Sequence, residues 1–218
     1  MGLQVFQPWS EFVLKKDLPE DLLKNLVELT DIISQDPQKK SYNYTLAGEI
    51  ENEWQIDCSL LSTIKFESYL FDIISEYIQL VRIQSRPNGT HLECSDEQFL
   101  KTNNFTEWEL RASWFNEQKD NEYNPIHNHT GILSGVLYLK IPEYLPPRKT
   151  EITDGTITFV GDTGPNNNWF TVPQFSILPK EGDIFIFPST LRHLVYPFRT
   201  KDGQGIRRSM SFNIHLPS

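Results

Sequence analysis

From about residue 105 onward, the sequence breaks into short stretches in which apolar and polar residues alternate, separated by turn residues. This alternation has the two-residue period of a β-strand with one buried face. Six or seven strands of this length and spacing predict an antiparallel sandwich or barrel. The predicted strands are WELRASWFN, ILSGVLYLKIP, DGTITFVGD, FSILP, GDIFIFP, HLVYPF and RRSMSFNIHL.

The first part of the chain has a helical pattern instead. Apolar residues recur at three- and four-residue intervals over residues 17–34 and 59–85, which predicts two amphipathic helices. We expect these helices to pack on one side of a sheet. The prediction is a single domain that is mainly β with flanking helices, mostly helical over residues 1–104 and β over residues 105–218.

Charge and composition argue against several classes of function. The net charge is −9, and without clustered cations we expect no nucleic-acid partner. No apolar run reaches the length of a membrane helix, and the N-terminal residues lack the pattern of an export signal. Cys58 and Cys94 lie far apart and are interpreted as reduced thiols. We therefore expect a cytoplasmic protein without a membrane partner.

Three of the five histidines are candidate metal ligands. His127 and His129 lie two residues apart, and on an extended chain such residues face the same way, so both can bind one ion. His193 follows the predicted strand GDIFIFP and a short turn, and a β-barrel can bring it back beside the first pair. His91 and His215 have no partner at a suitable spacing and are expected to be structural.

The last predicted strand has one face that is too polar for a dry core. In GIRRSMSFNIHL, every second residue from Arg207 to Asn213 is polar. Arg207 followed by Ser209 suits a carboxylate, which a guanidinium can bind through two parallel hydrogen bonds. Tyr138, on an earlier strand, can offer its hydroxyl to the same anion. The alternative explanation is an exposed edge strand with unrelated polar residues.

These segments together resemble a known family. The ordered motifs N-P-x-H-x-H…L-S-G-x-x-Y-L, G-D-x-x-x-F-P-S-x-x-x-H and R-x-S-x-S-F-N are similar to those of the 2-oxoglutarate- and Fe(II)-dependent oxygenases. The resemblance covers residues 108–216 and is strongest to a prolyl-hydroxylase-like branch found in marine bacteria and tailed phages. It implies a double-stranded β-helix, a distorted jelly roll flanked by helices.

The resemblance also implies a metal centre. Family members hold Fe(II) with two histidines and one carboxylate, which leaves positions open for the cosubstrate and O2. The two histidine positions fall on His127 and His193, and the carboxylate position falls on His129. This departure leaves the centre one negative charge short, and three imidazoles also suit zinc, nickel or copper.

The cosubstrate site is implied in the same way. Arg207 falls on the arginine that binds 2-oxoglutarate, and Ser209 takes the accompanying serine position. Arg208 is the competing assignment, disfavoured because it shares a face with apolar residues. Tyr138 matches a tyrosine that often helps to bind the distal carboxylate of the cosubstrate.

The implied activity is hydroxylation of an unidentified small molecule or peptide by O2, while 2-oxoglutarate is converted to succinate and CO2, with ascorbate as an optional reductant. If the gene is viral, the expected location is the host cytoplasm. The oligomeric state is not predicted. Two alternatives stay open, a cupin-type metal enzyme and a non-catalytic jelly-roll binding module. Candidate entrance residues, for which roles as core aromatics or turn residues are at least as well supported, are Trp114, Asn116, Tyr123, Asn124 and Trp169.

Overall fold

The structure is a computed structural model that describes residues 11–43, 48–84, 108–147, 153–161 and 174–215. Its helices are α1 (Glu20–Gln35), α2 (Cys58–Thr63) and α3 (Phe66–Gln84). Its strands are β1 (Leu14–Asp17), β2 (Glu53–Gln55), β3 (Glu109–Lys119), β4 (Asn124–His127), β5 (Leu133–Lys140), β6 (Ile157–Val160), β7 (Gln174–Ile177), β8 (Asp183–Pro188), β9 (Arg192–Val195) and β10 (Ile206–His215).

The strands form two antiparallel sheets. The major sheet has the order β1-β8-β5-β10-β3-β2, and the minor sheet has the order β4-β9-β6-β7. Four of the five neighbouring pairs in the major sheet are not consecutive in the chain, as in a jelly roll, in which successive strands cross between sheets. The predicted mainly-β fold with a double-stranded β-helix core is confirmed.

Two apolar clusters hold these layers together. The first joins the helices to the outer face of the major sheet, where Leu26 of α1 and Ile73 of α3 share a fully buried cluster with Leu137 and Met210. The second lies between the sheets. Its buried members are Val136, Tyr138, Ile157, Phe159, Phe185, Phe187 and Leu191.

Helix α1 follows from local signals in the sequence. Pro19 precedes the first helical residue, and Glu20 and Asp21 lie in the first turn, where negative charge is favoured. Leu22 and Leu26, one turn apart, face the core. Among the described helices, none is both long and apolar enough to cross a membrane.

The predicted continuous helix over residues 59–85 is wrong. The chain forms α2 and α3 instead, and Lys65 between them has a φ of 62°, in the left-handed region that ends a helix. Asp57 caps α2 by accepting a hydrogen bond from the Ser59 backbone N–H. The apolar spacing survives across the break, so the pattern alone concealed it.

Two strands of the major sheet were not predicted. β1 and β2 contain only four and three residues and lie on opposite edges of the sheet. Strands this short carry too few residues for a period to be recognised. They extend the sheet with residues from the part of the chain that was predicted to be mostly helical.

Candidate functional site

The three predicted histidines lie together on the minor sheet. His127, the last residue of β4, is the register partner of His193 on β9, and His129 follows two residues later. One ring nitrogen from each histidine lies within 4.8 Å of the others, and the Nε2 atoms of His129 and His193 are 3.3 Å apart. The extended HxH segment and the β4–β9 pairing therefore build one cluster from residues 64 positions apart.

Hydrogen bonds fix two of these rings. His127 Nδ1 lies 2.7 Å from the Pro125 carbonyl, and His193 Nδ1 lies 3.0 Å from the Leu191 carbonyl. Because a carbonyl can only accept, each Nδ1 carries the proton and each Nε2 keeps its lone pair. This is the usual arrangement of imidazoles that bind a metal through Nε2.

The loop that carries His129 is tied to the end of β8. The His129 backbone N–H donates to the Ser189 carbonyl at 2.8 Å, and the Ser189 hydroxyl donates to the Gly131 carbonyl at 2.5 Å. Gly131 has a φ of 98°, and a Cβ there would lie 2.4 Å from the Ile214 carbonyl oxygen. A glycine is therefore required for this loop to pass so close to β10.

Burial keeps the three histidines neutral. It lowers the pKa of His129 to about 3, with further contributions from the positive charges that His193 and His127 would carry. Burial, followed by the neighbouring His127, lowers the pKa of His193 to about 4, and burial also lowers the pKa of His127. Near neutral pH all three rings are in the form that binds metal.

One pair of the triad lies at the spacing that a transition-metal ion requires, and the three ligand nitrogens lie within 4.8 Å of one another. Two nitrogens about 2.1 Å from one ion lie about 3.0 Å apart at a right angle and about 3.4 Å apart in a tetrahedron. The 3.3 Å between His129 and His193 lies within this range. The donor set therefore suits Fe(II) and equally zinc, nickel or copper.

A cavity between the sheets extends away from the triad, and we call it the inter-sheet cavity. On the major sheet, Ser209 of β10 is the register partner of both Tyr138 on β5 and Asn116 on β3, so the three form one polar row. The Tyr138 hydroxyl and Asn116 Oδ1 are buried and have no hydrogen-bond partner among the described residues. The cavity is lined by Ile50, Trp114, Asn116, Gln118, Asn124, His127, His129, Gly135, Val136, Tyr138, Ile157, Phe187, His193, Val195, Ser209 and Ser211.

Arg207 is the inward-facing residue of β10 that precedes Ser209. Its register partner on β3 is Gln118. Its guanidinium donates to the Gly155 carbonyl and to Gln118 Oε1, both at 2.5 Å, and to the Tyr144 hydroxyl at 3.3 Å. It is 1% exposed, and the described residues provide no carboxylate partner for it. A buried, uncompensated guanidinium favours an anion.

The surroundings of Arg207 are aromatic and hold its charge in place. Its guanidinium lies 5.5 Å from the ring centre of Tyr138 and 5.3 Å from that of Phe198. Burial raises the pKa of Tyr138 to about 12, although the Arg207 charge lowers it. Tyr138 therefore keeps its proton and can donate a hydrogen bond to an anion.

Arg208 points to the opposite face of the sheet. It donates to Asp31 at 2.6 Å and to Glu117, and it lies over the Phe115 ring at 5.4 Å. Both carboxylates already compensate its charge. The arrangement favours the predicted assignment of Arg207 over Arg208 as a seat for a free carboxylate.

Sequence reasoning missed two residues that contact Arg207. Gln118 and Tyr144 come from β3 and from the segment after β5, 89 and 63 residues before Arg207. The inward face of β3 could have indicated Gln118, because it alternates with Asn116 and Trp114. Tyr144 lies outside any regular element and had no such signal.

The predicted entrance residues lie in different environments. Trp114 is 2% exposed and packs against His129 with ring centres 5.8 Å apart, so it forms a wall of the site. Asn116 and Asn124 line the inter-sheet cavity, and Tyr123 is 41% exposed. Trp169 lies outside the described residues.

The remaining candidates stay away from the triad or outside the description. Cys58 lies 3.6 Å from the Ser113 hydroxyl, and burial raises its pKa. His215 approaches the loop at Gly131, where a Cβ would meet its ring at 3.1 Å. His91 and Cys94 lie outside the described residues.

A comparison with protein families gives one match. Residues 112–213 match the family described as "Putative 2OG-Fe(II) oxygenase". The matched segment contains the histidine triad, Tyr138, Arg207 and Ser209. The resemblance to the 2-oxoglutarate/Fe(II)-dependent oxygenases is confirmed. This family match, together with the fold, supports a 2-oxoglutarate/Fe(II)-dependent oxygenase.

Solved structures share the fold at low sequence identity. A Pseudomonas putida prolyl-4-hydroxylase matches with a TM-score of 0.52 and 14% identity over 96% of this chain and 95% of its own. A 2OG-Fe(II) oxygenase-family oxidoreductase from Burkholderia pseudomallei matches with 0.52 and 13% over 94% and 86%. A Trichoplax adhaerens prolyl hydroxylase, in complex with a hypoxia inducible factor peptide, matches with 0.52 and 12% over 94% and 83%. No curated protein matches the chain significantly.

Proposed function

We propose that this protein is an Fe(II)- and 2-oxoglutarate-dependent dioxygenase that hydroxylates a small molecule or a peptide. One O2 molecule would supply one oxygen atom to the new hydroxyl group and one to succinate, while 2-oxoglutarate loses CO2. The observation that supports it is that three neutral histidines line the inter-sheet cavity and that Arg207, buried without a described carboxylate partner, lies directly behind two other lining residues, Gln118 and Tyr138.

The histidine triad would hold the metal. His127 and His193 present Nε2, because each Nδ1 is engaged with a backbone carbonyl, and His129 completes the site from its tethered loop. The bound iron would supply the redox chemistry that activates O2. All three rings line the inter-sheet cavity, so the cosubstrate would reach a bound ion from that cavity.

The cosubstrate would extend from the triad to Arg207. The guanidinium binds the distal carboxylate, with Ser209 and the buried hydroxyl of Tyr138 as further donors. Gln118 and the Gly155 carbonyl hold the guanidinium in orientation, which limits the entropy lost on binding. Asn116, in the same row as Ser209, can present its amide to the cosubstrate.

Aromatic side chains would exclude water around the metal position. Phe187 and Phe159 lie against His193, with ring centres at 4.8 and 6.0 Å, and Trp114 lies against His129. Exclusion of water strengthens the electrostatic interactions within the site and limits side reactions. The prolyl hydroxylases among the structural neighbours are compatible with a peptide substrate, although fold alone does not fix the substrate.

An anaerobic titration tests the proposal. Metal-free protein receives Fe(II) and then 2-oxoglutarate, and the visible charge-transfer band of the chelate is followed. We expect a band that needs both additions and that disappears in His127→Ala. Arg207→Ala should bind Fe(II) but weaken 2-oxoglutarate binding by at least about a hundredfold, since loss of one partner of a buried charge pair costs about 3–5 kcal/mol. A folded wild-type protein that binds Fe(II) without any band would contradict the proposal and favour a cupin-type metal protein.

A further inference from the structure

The inter-sheet cavity contains no negatively charged side chain among its described lining residues. Its polar groups are histidines, amides and hydroxyls, which are neutral near pH 7. A divalent ion held by His127, His129 and His193 would therefore receive no compensating charge from its protein ligands.

The groups behind the histidines are also neutral. His127 and His193 donate through Nδ1 to the carbonyls of Pro125 and Leu191, where many metal sites use a carboxylate. No described ion pair joins any of the three histidines to Asp or Glu. The surroundings of the triad are aromatic, so they contribute little solvation to a bare charge.

Arg207 adds positive charge directly behind the cavity wall, where its guanidinium contacts the lining residues Gln118 and Tyr138. It is 1% exposed, and no described carboxylate lies beside it. Binding a divalent ion alone would add two positive charges to a buried region that already holds the charge of Arg207. Burying uncompensated charge is costly, so the ion alone should bind weakly.

A dicarboxylate with a keto group beside one carboxylate removes this penalty both at the metal position and at Arg207. It brings two negative charges, one for the metal position and one for Arg207. We propose that divalent-metal binding and 2-oxoglutarate binding are strongly cooperative, because His129 leaves the metal position without a negatively charged protein ligand. This inference rests on the proposed function.

The expected coupling is about 10- to 100-fold, a magnitude typical of linked sites. By linkage, 2-oxoglutarate must tighten metal binding by the same factor as the metal tightens 2-oxoglutarate binding. The length of the ligand matters. Pyruvate offers the keto acid without the distal carboxylate, and glutarate lacks the keto group, so each should show less coupling than 2-oxoglutarate.

The test measures Fe(II) affinity under anaerobic conditions by competition with a chromophoric chelator, with and without saturating 2-oxoglutarate. His129→Asp and His129→Glu place a carboxylate at this position. In both variants we expect tighter binding of Fe(II) alone and about tenfold less coupling than in the wild type. Asn25→Asp, at an exposed position of α1, adds the same single negative charge far from the site and should match the wild type.

The outcomes separate the inference from the proposed function. Wild-type protein that binds both Fe(II) and 2-oxoglutarate, but with independent affinities, overturns the inference and leaves the proposed function standing. Unchanged coupling in a folded His129→Asp or His129→Glu protein also overturns it. Absence of Fe(II) binding under every condition overturns both. If circular dichroism shows that neither variant is folded, the comparison of ligands on the wild-type protein decides. Equal coupling by glutarate and 2-oxoglutarate then overturns the inference.

Discussion

Adjacent arginines on β10 should have separable roles, one in stability and one in binding. Arg208 is 6% exposed and contacts Asp31, Glu117, Thr30 and the Phe115 ring, and so links α1 to the outer face of the major sheet. We predict that Arg208→Met destabilises the protein and leaves 2-oxoglutarate binding to the folded fraction unchanged. Because Met retains much of the aliphatic part of the Arg side chain, the loss of stability reports mainly on the ion pairs and hydrogen bonds of Arg208.

The expected loss of stability depends on which partners Asp31 and Glu117 retain when Arg208 is replaced. Asp31 retains Lys140 at 2.5 Å and is 39% exposed, so solvent and the lysine compensate it. Glu117, with a side chain 14% exposed, retains only hydrogen bonds from Ser34 at 3.2 Å among the described contacts. Breaking a buried pair costs about 3–5 kcal/mol, and the exposed Asp31 end contributes less, so we expect a loss of about 2–4 kcal/mol. For a chain of this size, that corresponds to a fall in Tm of about 5–15 °C.

Urea and thermal unfolding measure the stability, and anaerobic titration of the Fe(II)-loaded protein with 2-oxoglutarate measures binding. Arg111→Met is the matched control, because the ion pair of Arg111 with Glu109 is exposed and should contribute less than about 1 kcal/mol. Arg207→Ala should give the opposite result, with weakened binding. Loss of 2-oxoglutarate binding by folded Arg208→Met would make Arg208 the anchor and refute the separation of roles.

Two further predictions concern stability. Gly135→Ala should cost about 1–3 kcal/mol in urea unfolding, because the added Cβ would lie 2.2 Å from the fully buried Phe212 ring; an unchanged midpoint would show that this ring can move. In Glu53, burial followed by the nearby Glu122 charge raises the pKa from 4.5 to about 8. The folded state thus favours the protonated form of Glu53. The contribution of Glu53 to the free energy of unfolding is therefore complete below pH 4.5 and is lost as the pH rises through 8, at up to about 1.4 kcal/mol per pH unit. Glu53→Gln should remove this slope between pH 5 and 9, and parallel profiles for the two proteins would contradict the assignment.

The parts of the site that could be predicted are those governed by strand alternation. The HxH spacing placed His127 and His129 on one side of an extended segment, and the two-residue period placed Arg207 and Arg208 on opposite faces of β10. Both inferences need only the direction of side chains along a strand, which is a local property of the backbone. His193 needed the predicted barrel to close, and the family resemblance then gave the same position independently.

The missed features depend on three-dimensional contacts or on very short elements. Tyr144 reaches Arg207 from an irregular segment, and the Gly155 carbonyl does so from a turn. Neither has a periodicity that could be read. The break at Lys65 depends on a single left-handed residue, while the apolar spacing on either side is compatible with one helix. The ligand roles of the triad and of Arg207 remain predictions that the titrations above test.

The separation of the two arginines depends on the register of β10. A slip of one residue would turn Arg207 outward and Arg208 inward, since successive side chains face opposite ways. Contacts on the outer face oppose that slip. Arg208 is the register partner of Glu117, and Met210 and Phe212 are fully buried in the helix-facing core. The outer face therefore fixes the register, and the register turns Arg207 and Ser209 inward, with Ser209 lining the inter-sheet cavity. Loss of binding in an outer-face variant should consequently track the unfolded fraction, whereas loss in an inner-face variant should persist in fully folded protein.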